Sequence, residues 1–458
     1  MTLSPEMLEV ARRRYFTTIL LVAASSLGTA QDLINLPEGA RTFVLEGVTV
    51  HTGAGQVLEN ASVAIKNGLI VEVGPGTAIK ARVLELEGMH VYPGLIDALS
   101  HLGMPALPAH RGTPERGFGP PAESASVASS KPYQSEGPGL YPHVAAASLL
   151  SEAFLEQAGE WRAQGVTSVH LAPSLGIFRG QSAVVNLGTV SPDQLIVRSP
   201  IALELSYSVQ SSRQYPSSTM GVIAHIRQTW LDARHYGEVT KIYADHPQGL
   251  PRPQTDRGLT ALQPFSRGRL PVIFPGNRVR EIRRSLKMIK HFELKGVIAG
   301  GFEADQTTDE LLEAGIPVLF SLNFPKVPRN QHPGTDESLA VLEYRVNAPG
   351  VPARLQNAGV RFALSSGDGD PVDFLKGLRR VVEQGLEQEQ ALRAATLSAA
   401  EILGVDRQLG SVEAGKIANL VVTTGDLFDA QTQIRYVFVD GEKFDLPERA
   451  DGERKESR

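Results

Sequence analysis

The stretch that decides the fold runs from Val91 to Gly103 and reads VYPGLIDALSHLG. It is an apolar run with one Pro-Gly turn; Asp97 lies inside it, and Ser100 and His101 lie near its end. This pattern predicts a buried strand that delivers polar side chains at its carboxyl end. In α/β barrels this end of the strands carries the chemistry. We therefore expect His101 to lie in a functional site.

The composition is that of a globular protein, and a small molecule is the partner we expect by default. The chain has 458 residues, of which 42% are hydrophobic and 21% are charged, so it is long enough for more than one domain. A formal net charge of -5 argues against a nucleic-acid or anionic-membrane surface, because such surfaces need clustered Lys and Arg. The absence of cysteine excludes disulfides, thiolate metal sites and cysteine nucleophiles.

The N-terminus has the pattern of an export signal over residues 1–30. Three arginines at 12–14 precede the apolar run 15–27, and the small residues Gly28 and Ala30 fit a cleavage site. The alternative is a membrane anchor, but about 13 apolar-leaning residues fall short of the roughly 20 that span a bilayer. We therefore expect a periplasmic or secreted product.

Two groups of short strands flank a long middle region. Residues 43–73 contain two strand-like runs, FVLEGVTVHTG and ASVAIKNGLIVEVG, and Asn67-Gly68 inside the second predicts a tight type I′ hairpin. A second group near the other end has an Asp440-Gly441 turn. We predict one composite β domain, built from residues 31–88 and 406–446.

The middle region alternates strand-like runs with helical patterns. The candidate strands are VTSVHLA, IALELSY, LPVIFPG, LKGVIAGG, IPVLFSL and VRFALSSG. This order predicts a parallel sheet with crossover helices. The segment 103–142 holds eight prolines and six glycines, which predicts an irregular lid or a mobile linker. The charged tail 447–458 has no apolar period, and we predict that it is disordered.

A helix predicted over Arg278–Lys290 has apolar residues on one side and six basic residues elsewhere. Two interpretations are open: the solvated outer face of a barrel helix, or a binding patch. We favour the solvated face, because charged residues usually cover the exposed side of an amphipathic helix.

Two motifs resemble the amidohydrolase superfamily, in its imidazolonepropionase and prolidase-like branch. The first strand resembles the signature Pro-Gly-x-Ile-Asp-x-His-x-His, but Leu99 stands in place of its first histidine; the matching residues are Pro93, Gly94, Ile96, Asp97 and His101. The segment LGSVEAGKIANL at 409–420 is close to the return segment LGSLEPGKDADL of that family. The resemblance implies a (β/α)8 barrel over 89–405 beside a composite β-sandwich.

The resemblance also implies a metal pair that this sequence does not support. Family members hold two divalent ions with a His-x-His, a carboxylated lysine or glutamate, two further histidines and an aspartate. At positions of this set the chain has Leu99, Pro275, Phe302 and Gly367. We therefore predict no bound cofactor and no metal pair, with a weak single divalent ion such as Zn²⁺ left open.

The remaining candidate site residues are few. We predict His101 and Asp368 as catalytic residues, although the segment that holds Asp368 and Asp370 also reads as an ordinary loop with a helix N-cap. Arg179 and His170 are predicted to bind substrate, and Arg179 would do so by pairing with a carboxylate. The alternative is that the segment containing these two residues is only a structural turn.

The family implies hydrolysis of a C–N bond in an amide, a cyclic amide or a dipeptide. With most ligand positions changed, the leading hypothesis is an amidohydrolase-like protein with weak or no metal-dependent activity. The alternative is a non-catalytic exported protein that binds a ligand or partner at the barrel mouth. Fold alone does not separate these hypotheses, because function depends on the site.

Overall fold

The computed structural model describes residues 41–77, 79, 81–105, 139–209, 215–327 and 337–447. The predicted export segment, most of the predicted loop 103–142 and the tail from residue 448 lie outside the described residues. Within the described ranges no helix is both long enough and apolar enough to cross a membrane.

The first five strands form a mixed sheet; they are β1 (Phe43–His51), β2 (Val57–Lys66), β3 (Leu69–Gly74), β4 (Arg82–Glu85) and β5 (His90–Pro93). β1 pairs antiparallel with β2, and β2 pairs antiparallel with β3. At the turn between β2 and β3, φ is 53° at Asn67 and 82° at Gly68. A type I′ turn requires positive φ at both central residues, so the predicted hairpin is confirmed.

The middle region supplies ten further strands: β6 (Leu95–Ser100), β7 (Val166–Leu171), β8 (Phe178–Gln181), β9 (Ala183–Asn186), β10 (Ile196–Arg198), β11 (Leu203–Leu205), β12 (Val272–Gly276), β13 (Gly296–Gly300), β14 (Val318–Ser321) and β15 (Phe362–Ser365). They form one sheet in the order β10-β9-β7-β6 and another in the order β15-β14-β13-β12-β11-β8. β6 pairs parallel with β7, and β11 to β15 run parallel in chain order. β8 and β9 run antiparallel to their partners.

The first and last of these ten strands lie side by side. The Ser366 amide, just after β15, donates a 2.8 Å hydrogen bond to Asp97 Oδ1 in β6. The two sheets also meet at Ser182, between β8 and β9, where the Ser182 amide donates to Ala202 O at 2.8 Å. The carboxyl ends of β6, β11 and β15 therefore lie close together, which positions the site described below.

Helices alternate with these strands, as predicted; they are α1 (Glu152–Arg162), α2 (Thr219–Asp245), α3 (Arg257–Ser266), α4 (Val279–Phe292), α5 (Thr308–Ala314), α6 (Leu339–Asn347), α7 (Val351–Ala358), α8 (Pro371–Glu383), α9 (Gln388–Ala394) and α10 (Leu397–Leu403). The helix predicted over Arg278–Lys290 is α4. It buries Ile282, Ile289 and Phe292 against the core, in agreement with its apolar period. The predicted α/β class is confirmed.

The last three strands are β16 (Leu420–Thr423), β17 (Ile434–Val439) and β18 (Glu442–Asp445). They join the first sheet in the order β18-β17-β16-β5-β1-β2-β3, with β4 paired to β1. Leu420 lies opposite Pro93 in the antiparallel pair of β16 and β5. Strands from both ends of the described chain therefore share one sheet, next to the start of β6.

The Pro-Gly turn between β5 and β6 is needed for close packing. A Cβ atom at Gly94 would lie only 2.0 Å from Thr167 Oγ1, so no larger residue fits there. The Gly94 amide donates to Asn419 O at 2.8 Å. The turn thus joins the composite sheet to the first strand of the middle region.

Candidate functional site

Four charged side chains from four separate segments form one cluster. His101 follows β6, Arg179 lies in β8, Glu204 lies in β11 and Asp368 follows β15. His101 Nδ1 lies 2.8 Å from Asp368 Oδ1, and His101 Nε2 lies 2.8 Å from Glu204 Oε2. Arg179 Nη1 donates to Glu204 Oε1 at 2.7 Å. We call these four residues the His101 cluster.

The two carboxylates determine the protonation state of His101. Each ring nitrogen faces an oxygen that can only accept while ionised, so both nitrogens must carry a proton. Burial alone would lower the pKa of His101, but the charges of Glu204 and Asp368 raise it to about 10. His101 is therefore an imidazolium at neutral pH. Arg179 Nη1, 3.2 Å from His101 Nε2, makes no hydrogen bond to it, because both nitrogens are donors.

The carboxylates of the cluster remain ionised for the same reason. Burial would raise the pKa of Glu204, but the charges of His101 and Arg179 lower it below its usual range. Burial likewise opposes ionisation of Asp368, whose pKa is lowered by its hydrogen bond and charge pairing with His101. Two cations and two anions thus balance. Only 6% of the Glu204 side chain is exposed, against 60% for Asp368.

A cavity of about 800 Å³ opens beside this cluster. His101 and Asp368 lie in its wall, whereas the described residues that line it do not include Arg179 or His170. The rest of the lining combines apolar and acidic side chains, among them Leu102, Met104, Trp161, Glu160 and Asp370. Asp370 is the N-cap residue of α8 by position, but its side chain makes no capping bond.

Three of the positions that hold metal in the family are occupied by apolar residues. Leu99 and Phe302 are each 8% exposed. Phe302 packs edge-on against Phe320, with ring centroids 5.8 Å apart. Pro275 lies in β12, where its carbonyl accepts a hydrogen bond from Ser285 Oγ at 3.0 Å. None of these side chains has an atom that binds a metal ion.

Aspartate at Gly367 would require Ser321 to move. Its φ is 57°, and a Cβ atom there would lie 1.9 Å from Ser321 Oγ. Side chains other than glycine rarely adopt this conformation, and a contact this short requires the neighbour to move. Ser321 therefore occupies the space that an aspartate at this position would need.

The residues present do not fit the metal pair that the fold family implies. Among the described residues, no group of three or more His, Asp or Glu side chains is arranged to hold a metal ion. His101 is the one family histidine position that is retained, and carboxylates occupy both of its nitrogens. A ligand imidazole must present a free lone pair.

His170 lies inside the fold rather than in the cavity wall. It is fully buried; Nδ1 donates to Ala98 O at 2.7 Å, and Nε2 accepts from Ser182 Oγ at 2.7 Å. Burial is the largest effect on its pKa and lowers it to about 4, so the ring is neutral. The tautomer with the proton on Nδ1 satisfies both hydrogen-bond partners. The side chain links β6, β7 and the junction of β8 with β9.

Sequence reasoning did not identify Glu204 or the state of Asp97. A glutamate between two leucines in a short buried strand is a signal that could have found Glu204, because buried carboxylates are nearly always paired. Asp97 was noted only as part of a motif. It is fully buried, and within the described part of the chain its Oδ2 has no hydrogen-bond partner.

Comparison with known proteins places the chain among amidohydrolase folds. Residues 326–443 match the model of the amidohydrolase family. An amidohydrolase from Thermotoga maritima MSB8 is similar, with 24% identity over 88% of this chain and 100% of that chain, and a TM-score of 0.72. A prolidase complexed with n-methylphosphonate-l-proline has 19% identity over 89% of this chain and 100% of that chain, with a TM-score of 0.53.

A Xaa-Pro dipeptidase with bound methionine is also similar, with 16% identity over 88% of this chain and 100% of that chain, and a TM-score of 0.50. At such identities these likenesses establish the fold. The family match adds the segment that contains β15, α8 and the return motif at 409–420. The resemblance to the amidohydrolase superfamily predicted from the first-strand and return motifs is therefore confirmed.

Proposed function

We propose that this protein keeps the amidohydrolase scaffold but has weak or no metal-dependent hydrolytic activity, and that it binds a small molecule in the cavity beside His101. One observation carries the proposal: both ring nitrogens of His101 lie 2.8 Å from carboxylate oxygens, of Asp368 and Glu204. Neither nitrogen offers the free lone pair that a metal ion needs.

Electrostatics supports the same conclusion. In a metal-dependent hydrolase the ion lowers the pKa of a bound water and polarises the scissile carbonyl. Here the carboxylates Glu204 and Asp368 are already neutralised by His101 and Arg179. A divalent cation at this place would meet two positive charges and would have to displace them. Hydrolysis of C–N bonds, which the family implies, would lack its nucleophile.

The size and lining of the cavity support the binding of a small molecule. A volume of about 800 Å³ lies within the usual size of small-molecule sites, about 300–1,000 Å³. Trp161 and Met104 supply apolar surface, and Glu160, Asp368 and Asp370 supply polar groups. Together with the occupied ring nitrogens of His101, the cavity favours a non-catalytic ligand-binding protein as the specific form of the proposal.

We propose further that the two middle sheets close into one barrel beside the composite β domain. The hydrogen bond from the Ser366 amide to Asp97 Oδ1 supports closure between β15 and β6. On the other side, the chain runs from β8 in one sheet through Ser182 directly into β9 in the other sheet, and the bond from the Ser182 amide to Ala202 O extends the pairing of β8 with β11 up to this point. In such a barrel β8 and β9 together take one position, as an antiparallel member.

Export to the periplasm or the medium stays a proposal. It rests on the arginines at 12–14, the apolar run 15–27 and the small residues before Gln31.

The proposal is tested with panels of dipeptides and hydantoins, assayed for hydrolysis with and without added Zn²⁺ and, in parallel, for thermal stabilisation of the protein. We expect no Zn²⁺-dependent turnover above that of His101→Ala. We also expect at least one compound to raise Tm, because a ligand that binds only the folded state stabilises it. Zn²⁺-stimulated turnover that His101→Ala abolishes would refute the proposal.

A further inference from the structure

A cleft of about 440 Å³ lies between α2 and α4, away from the His101 cluster. Five cationic side chains line it: Arg227 from α2 and Arg280, Arg283, Arg284 and Lys287 from α4. Ile223 and Met288 complete its lining, and no carboxylate of the described residues contributes to it. We call it the basic cleft.

Most of this charge is not neutralised within the protein. Arg283 pairs with Glu310 at 2.8 Å, and the Arg284 guanidinium lies over the Tyr207 ring, 5.6 Å from its centroid. Arg227, Arg280 and Lys287 make no ion pair with any other described residue. On α4 the cations are three or four residues apart, a spacing at which like charges repel and weaken a helix.

The adjoining groove between α4 and α5 has a different charge balance. It shares Arg283 and Lys287 with the basic cleft but is also lined by Lys290, Glu293, Glu310 and Glu313, so cations and carboxylates are mixed there. The whole chain has 50 acidic against 45 basic residues, so the basic cleft does not follow from overall composition. The excess of positive charge is local to the face towards α2.

We propose that the basic cleft binds a small polyanion, a molecule that carries two or more phosphate groups. Arginine suits this ligand because its planar guanidinium donates two parallel hydrogen bonds to phosphate oxygens. The concave shape and its volume, within the usual range for small ligands, favour a compact molecule over a flat membrane surface. Ile223 and Met288 offer apolar contact to the uncharged part of the ligand.

This inference favours the binding-patch interpretation of the helix predicted at Arg278–Lys290 over the solvated-face interpretation. The sequence shows the basic residues of one helix but not what faces them. The structure brings Arg227 from a second helix to the same cleft, which a merely solvated face does not require. The inference is independent of the cavity at His101.

The test is calorimetric titration of the full chain with tripolyphosphate, the probe for the shared phosphate chemistry. We compare the wild type with one cleft variant that combines Arg227→Gln, Arg280→Gln and Arg284→Gln. The matched control combines Lys66→Gln, Arg82→Gln and Arg407→Gln, which removes the same charge from exposed sites elsewhere. Circular dichroism and Tm establish that all three proteins are folded.

We expect saturable binding by the wild type and the control, weakened at least about tenfold in the cleft variant. The affinity should also fall between about 50 and 300 mM NaCl, because salt screens exposed charges. Equal loss in both variants, or no binding at millimolar tripolyphosphate, would overturn the proposal. If the protein sedimented with phosphatidylglycerol vesicles but did not bind tripolyphosphate, the proposal would be overturned, and the cleft would instead bind the headgroups of a membrane.

Discussion

Glu204→Gln should lower the free energy of unfolding by about 3–5 kcal/mol, the usual cost of removing one partner from a buried ion pair. The glutamine keeps the shape of the side chain but removes the negative charge between His101 and Arg179, 2.8 and 2.7 Å away. Two cations would then share Asp368 alone. Because the Glu204 side chain is only 6% exposed, water cannot replace the lost charge.

Urea unfolding measures the loss, and the ring resonances of His101 report its pKa, which should fall below about 10 in the variant. The matched control is Glu401→Gln, which breaks the 2.7 Å pair with Arg393, whose side chains are 35% and 40% exposed. That change should cost no more than about 1 kcal/mol. Equal effects of the two substitutions would contradict a buried charge cluster.

Asp97→Asn should change the free energy of unfolding in the opposite direction and stabilise the protein at pH 8. Burial, opposed by hydrogen bonds from Ser366 and Leu99, raises the pKa of Asp97 to about 7. Asparagine keeps an acceptor for the Ser366 and Leu99 amides, which lie 2.8 and 3.3 Å from Asp97 Oδ1. It also removes the negative charge that the fully buried Asp97 carboxylate would carry above about pH 7.

The sign follows from proton linkage. The folded state holds the Asp97 proton up to about pH 7, while the unfolded chain releases it near pH 3.9. Stability contributed by this group therefore falls as pH rises from about 4 to 7, and the cost is complete above pH 7. A rise of about three pKa units corresponds to roughly 4 kcal/mol as an upper estimate.

Urea unfolding of the wild type and Asp97→Asn at pH 5 and pH 8 tests this. The variant should gain stability relative to the wild type mainly at the higher pH. Asp193→Asn, an exposed aspartate, serves as the control and should change stability by less than about 0.5 kcal/mol at either pH. A loss of stability in Asp97→Asn of the same size at both pH values would refute the account of Asp97.

Local signals in the sequence were sufficient for much of the fold. Asn67-Gly68 and Asp440-Gly441 predicted turns with positive φ, and all four residues have it, because side chains other than Gly, Asn and Asp rarely fit that conformation. The apolar runs predicted the buried strands. The antiparallel course of β8 and β9 could not be predicted, because strand direction depends on pairing between distant segments.

Three members of the His101 cluster are candidates from the sequence, but the fourth member and the contacts among them are not. His101, Asp368 and Arg179 were found one by one, yet the residue that joins His101 to Arg179 is Glu204, 103 positions from His101 in the chain. The sequence also placed His170 among candidate ligand contacts. Its full burial depends on how β6, β7 and Ser182 pack, which no local pattern of residues records.

Metal content is the measurement that tests the central claim, a metal-free His101 cluster, most directly. The purified protein is dialysed, loaded with Zn²⁺, dialysed again and subjected to elemental analysis beside His101→Ala. We expect no more than about 0.1 equivalent of Zn, Mn or Fe per chain in either protein, since a stable site needs at least three ligands. One or two equivalents in the wild type, lost in His101→Ala, would contradict the account.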